Sequence, residues 1–142
     1  GPRRWRVSPE DLAAVEAFWA EARPDGDYTR APLSDDHLFV GPAMTLRGGV
    51  AHRGLADTLT AFCFPSPARI LDRFTAESWA TTVIDWRPHG VPDGLTLTST
   101  QLVRNGLLHE EYWAYDPRLL PAGSLDGLAP LVGSLGGTTG LP

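Results

Sequence analysis

The sequence predicts an α+β domain in which helices cover one face of a curved antiparallel sheet. Three observations carry that expectation. Two stretches place apolar residues three and four apart, several others alternate with period two, and Asn105-Gly106 joins the last two of these in a hairpin signature. The order is helix, two short strands, helix, then four longer strands. Helices gathered on one side of an antiparallel sheet bury such a set.

The first helix opens at Ser8-Pro9-Glu10-Asp11, a capping hydroxyl, a proline at the first helical position and acids against the positive end of the dipole. Leu12, Val15, Phe18, Trp19 and Ala22 form its apolar stripe until Arg23-Pro24-Asp25-Gly26 stops it. After an ambiguous turn at Asp27–Arg30, Leu38-Phe39-Val40 reads as a short strand halted by Gly41-Pro42, with Asp35 and Asp36 as turn acids ahead of it. Ala43 to Arg47 can pair back on it. Gly48 to Gly54 leads to a second helix with Leu55, Leu59 and Phe62 on its buried side, ended by Pro65. Ile70–Thr75 and Trp79–Arg87 alternate as strands. In the latter Ala80, Thr82, Ile84 and Trp86 share one side, and Trp79, Thr81, Val83 and Asp85 the other. From Leu120 onward the chain is mostly Gly, Ser, Leu, Ala, Pro and Thr, without periodicity.

A length of 142 residues suits one domain, expected over 8–117. An arm over 1–7 precedes it, its Gly1-Pro2 reading as the scar of a removed tag, and a tail over 118–142 follows. The net charge of −5 and a single short basic cluster, Arg3, Arg4 and Arg6, argue against a nucleic-acid partner. No stretch approaches the ~20 apolar residues of a membrane span, so no membrane partner is expected. Cys63 is alone, which fits a reducing cytoplasm and offers no disulfide framework. His37, His52, His89 and His109 stand on separate elements with no ligand pair at helical spacing, so neither metal nor cofactor is expected.

The final hairpin carries the chemistry. If Asn105 and Gly106 alone form the loop, Val103 faces Leu108, Gln101 faces Glu110, Ser99 faces Tyr112 and Leu97 faces Ala114. An apolar face interrupted by Ser99, Gln101, Glu110 and Tyr112 is what a ligand cavity needs. The other arrangement has a single bulge that turns His109, Glu111, Trp113 and Tyr115 inward. The regular register is the expectation. On it, Glu110 is the catalytic acid, its carboxyl raised by desolvation so that it can take a proton α to a carbonyl. Gln101, Ser99 or Tyr112 would steady the enolate oxygen. Trp19, Tyr28, Trp79, Trp86 and Trp113 are candidate walls, because broad rings stack on flat or conjugated apolar molecules.

Three motifs in this order, DDHLFVGP, HRGLADTLTAF and NGLLHEEYWAYD, resemble the SnoaL-like polyketide cyclases of the nuclear transport factor 2-like (NTF2-like) superfamily over roughly Ser8 to Pro117. The resemblance implies a cone-shaped sheet with helices on its concave face. It also implies a homodimer and a cofactor-independent cyclase that closes a carbocycle in a polyketide-like small molecule during natural-product biosynthesis, by an aldol-type or [4+2] step. Asp116 falls near a closing-strand base of such cyclases. The ketosteroid isomerase branch carries an Asp before the proline of the first-strand run, where this chain has Gly41. The limonene epoxide hydrolase branch suggests Asp72, Arg73 and Asp85 as a water-activating set. Two further readings stay open, since this scaffold hosts many activities. An epoxide hydrolase, polyether-type ring-opening cyclase or isomerase is one, and the ring-opening chemistry requires two acids converging in the cavity. A non-catalytic binding or dimerisation module is the other, and it requires a filled interior with the strongest apolar patch outside.

Overall fold

The computed structural model describes residues 7–139. Gly1-Pro2 and the cluster Arg3, Arg4 and Arg6 lie outside the described residues. Helix α1 (Pro9–Ala20) begins where the capping pattern dictates, with Ser8 Oγ accepting the Asp11 N–H at 3.2 Å, and buries Ala14, Val15, Phe18 and Trp19. Strand β1 (Leu33–Val40) starts at Leu33 rather than Leu38 and keeps Asp35 and Asp36 exposed; β2 (Thr45–Arg47) pairs back on it. Helix α2 (Gly49–Cys63) follows at once. Gly48 makes that turn at φ 112, and Gly49 approaches β1 so closely that a Cβ there would stand 2.3 Å from the Ser34 carbonyl oxygen. Helices α1 and α2 pack on the concave face of the curved sheet.

Strands β3 (Arg69–Ala76), β4 (Trp79–Trp86), β5 (Leu95–Arg104) and β6 (Leu107–Ala114) complete the sheet in the order β2-β1-β6-β5-β4-β3. Every neighbouring pair is antiparallel except β1 and β6, which run parallel. The sheet is therefore mixed. A parallel pair needs a long crossover, and α2 with four strands lies between these two. Among the described residues no helix is long and apolar enough to cross a membrane.

Asn105 (φ 53) and Gly106 (φ 71) form the expected two-residue turn, and the Gly106 N–H donates to Asp11 Oδ1 at 2.7 Å, tying the hairpin tip to α1. Arg104 faces Leu107 and Val103 faces Leu108, as expected. The register then slips: Leu102 pairs with Glu110, so His109 is an extra residue on β6. Beyond this bulge Gln101 faces Glu111 and Ser99 faces Trp113. The expected partners Glu110 and Tyr112 are thereby turned to the outer face, where the Tyr112 hydroxyl donates to Glu110 at 2.6 Å. A one-residue slip inverts every side chain after it, and here it keeps Leu108 in the core while sending Glu111 and Trp113 inward. Trp79 is likewise outside, 6.2 Å from the Tyr112 ring, because Ala80, Thr82, Ile84 and Trp86 are the buried alternates of β4.

Residues 117–139 pack on the domain and hold regular structure that their composition does not announce. They make a 3₁₀ turn at Pro117–Leu119 and helix α3 (Leu128–Ser134), then a bridge between Thr138 and Thr45 with N···O distances of 2.7 and 2.9 Å. Leu120, Leu128 and Val132 are buried. A seven-residue helix with Pro130 in its first turn is too short to print a helical period on the sequence.

Candidate functional site

The concave face holds two adjoining chambers. The outer one has a volume of about 300 Å³, with walls that include Trp86, Trp113, Tyr115, Leu59, Leu125 and Leu128. The inner one, about 80 Å³, is bounded by Phe18, Tyr28, His52, Leu55, Thr60 and Phe64. Phe39, Met44, Leu59, Cys63 and Trp113 line both. Nearly all of this surface is hydrocarbon or aromatic ring, so an apolar guest gains by entering. Burial drives the Cys63 thiol and the Tyr115 phenol up to about 12, so both stay protonated at neutral pH.

Behind the inner chamber lies a buried polar cluster. Glu111 on β6, His37 on β1 and Gln101 on β5 have no solvent exposure, and His52 in the first turn of α2 has 5%. One carboxylate oxygen of Glu111, Oε2, accepts the Gln101 amide N–H at 3.1 Å and the Trp113 indole N–H at 2.9 Å. Gln101 is itself held by the Trp19 indole, which donates to its Oε1 at 3.2 Å. The other oxygen, Oε1, faces two imidazoles, with His37 Nε2 at 3.4 Å and His52 Nε2 at 3.8 Å, and has no hydrogen-bond partner among the described residues.

The charge balance of the cluster follows from its burial. Desolvation takes His52 down to about 4; the Glu111 carboxylate opposes this, while His37 and Arg53 reinforce it. His52 is thus neutral at pH 7. Burial pushes the Glu111 carboxyl upward, but His37 beside it, the charge interactions with His52 and His37, and the Trp113 indole pull harder, and the net shift is downward. Glu111 is an anion held by donors, the condition under which a buried carboxylate is tolerated.

This architecture has solved counterparts. An NTF2-like protein of unknown function from Cytophaga hutchinsonii superposes with a TM-score of 0.66 at 12% identity, over 80% of this chain and 94% of that one. The fold is NTF2-like. A polyketide cyclase candidate from Sinorhizobium meliloti gives 0.63 at 12% identity, over 72% of this chain and 94% of that one. An LEH-like epoxide hydrolase from M. tuberculosis gives 0.62 at 21% identity, over 88% and 96%. No protein-family model and no curated protein matches the sequence.

Within the NTF2-like cone the residues expected at a site divide. Gln101, Ser99, Trp19, Tyr28, Trp86 and Trp113 are all inside. Tyr28 and Trp86 line chambers, Trp113 lines both, and Trp19 packs behind them, nearly parallel to Trp113 with ring centroids 6.1 Å apart. The buried Ser99 hydroxyl has no partner. Glu110, Tyr112 and Trp79 are outside. Asp116 is at the cone's rim, where its carboxylate caps the 3₁₀ turn and takes the Arg118 guanidinium at 3.0 and 2.9 Å. Asp72 and Asp85 stand on β3 and β4 away from the chambers, Asp85 paired with Arg87 at 3.1 Å. Sequence reasoning missed His37 and His52 as a pair. Their ring centroids are 4.8 Å apart, and the one local clue was that His52 continues the Leu55–Leu59 stripe of α2.

Proposed function

We propose that the chain is a cofactor-independent cyclase or isomerase that closes a carbocycle in an apolar, polyketide-derived molecule, with His52 and Glu111 moving the proton. The observation that carries this reading is a neutral imidazole on the wall of an apolar chamber with a buried carboxylate anion directly behind it. His52 accepts a proton from a carbon α to a carbonyl, and Glu111 stabilises the imidazolium as it forms. The enolate attacks a second carbonyl held against it by the Trp113 and Phe39 walls, and the proton returns to the new alkoxide. Gln101, Trp113 and Trp19 act as positioning residues that fix the carboxylate.

Two observations weigh against the rival readings. Among the described residues Glu111 is the one acid in the buried cluster, whereas epoxide opening requires two that converge. The interior is hollow, whereas a purely structural module would fill it.

The test is to incubate the protein with linear poly-β-carbonyl substrates and follow the product by mass. An isomeric product supports the reading, and a gain of water overturns it in favour of hydrolysis. Glu111→Gln is expected to lower kcat/KM by about a thousandfold, and Glu110→Gln by less than about twofold. A few-fold loss in Glu111→Gln would instead indicate a cavity that only templates a [4+2] closure.

A further inference from the structure

We propose that His37 Nε2, His52 Nε2 and Glu111 Oε1 form a binding site for one divalent transition-metal ion of the Zn²⁺ class. The inference does not rest on the reaction proposed above: the site would hold the ion whether or not the chain turns over a substrate.

The geometry points there. The three atoms come from three elements, β1, α2 and β6, and lie within 4.8 Å of one another. Zinc bonds His nitrogen and carboxylate oxygen at about 2.0–2.2 Å, so two ligands at a tetrahedral ion stand about 3.3–3.5 Å apart. His37 and Glu111 already meet that spacing at 3.4 Å, and His52 is slightly wide at 3.8 Å. The two imidazole nitrogens are the widest pair, within 4.8 Å of each other, and an inward swing of the His52 ring by about 1 Å completes the set.

Bond accounting agrees. Glu111 Oε1 and His37 Nε2 are buried and without hydrogen-bond partners among the described residues, a costly arrangement that a shared cation would relieve. The opposite oxygen of Glu111 is fixed by Gln101 and Trp113, the outer-shell grip that orients a ligating carboxylate. Two imidazoles and one carboxylate select transition ions over Mg²⁺ and Ca²⁺, which prefer all-oxygen shells. His52 borders the inner chamber, so the fourth position opens toward a guest. Occupancy would take the lone pairs through which His52 and Glu111 handle protons, and Zn²⁺ would therefore suppress an acid–base reaction here.

The experiment is metal titration of the chelator-stripped full chain with ZnCl₂ at pH 7.5, read by calorimetry and by metal content after gel filtration. The expected result is one ion per chain, at least about a hundredfold weaker in Glu111→Gln and in His52→Asn, and unchanged in His89→Ala, which removes an exposed histidine. Co²⁺ in the unsubstituted chain should give the intense visible bands of a four- or five-coordinate ion, and this readout decides the matter if the buried variants do not fold. No stoichiometric binding at about 100 μM zinc, binding lost in His89→Ala but kept in Glu111→Gln, or a Co²⁺ spectrum like that of the aqueous ion would each overturn the proposal.

Discussion

His52 makes the stability of the protein depend on pH in a definite direction. An unfolded histidine titrates near 6.5, and burial takes His52 down to about 4 in the folded chain. Between those values the unfolded chain holds a proton that the folded chain refuses. Stability from this residue is therefore full above 6.5, falls as the pH drops toward 4, and is lost below it. The whole effect is roughly 3 kcal/mol. Urea midpoints of metal-free protein at pH 7.5, 6.5, 5.5 and 4.5 should decline through that window, and His52→Asn should flatten the slope. An equally steep slope in the variant would mean that His52 is not buried neutral. The same residue shows how far a site can be read locally. The strand bearing the acid and its partner Gln101 were both legible, because the hairpin turn fixes them. Which of two adjacent acids faces inward was not, since Glu110 and Glu111 exchange places with one extra residue. Nor could the sequence bring His37 to Glu111. That meeting depends on β1 lying parallel to β6, where Phe39 pairs with Glu111, a contact across more than half the chain.

At the scale of the element, the bulge in β6 decides what the cone contains. The two strands of the hairpin were legible from alternation and the Asn-Gly turn, but a bulge leaves no mark in the pattern when both faces mix polar and apolar residues. Deletion of single residues tests it directly. Removing His109 abolishes the bulge while Leu102 stays opposite Glu110 and Gln101 opposite Glu111, so the interior is preserved and the cost should be about 1 kcal/mol. Removing Leu108 also abolishes the bulge, but puts His109 opposite Val103 at a position with no solvent exposure. That exchanges a buried leucine for an unpartnered imidazole and should cost about 3 kcal/mol or more. Chemical denaturation of the two deletions should thus rank them clearly. Equal destabilisation would mean that the bulge is not where the pairing of Val103 with Leu108 puts it.

Across the whole molecule, the C-terminal stretch closes what the sheet and helices leave open. Leu120, Leu125 and Leu128 line the outer chamber, Val132 packs under them against Leu46, and the Thr138–Thr45 bridge clips the segment to β2. Composition alone could not show this, because Gly, Ser and Pro suggest a loop and the apolar residues that do the packing are too few to repeat. Val132→Ala removes a side chain with no exposure and should lower stability by about 2 kcal/mol. Gly137→Val acts differently. A Cβ there would meet Val132 Cγ1 at 2.6 Å and the Thr45 carbonyl oxygen at 2.7 Å, so the clip must open while the cone behind it keeps its own core. An apolar, environment-sensitive dye seated in the outer chamber would then lose one wall. Its affinity should drop by about tenfold, the 1–2 kcal/mol of contact that one or two leucines supply. Wild-type dye affinity in Gly137→Val, together with an unchanged melting temperature, would show that the segment is not a wall of the chamber.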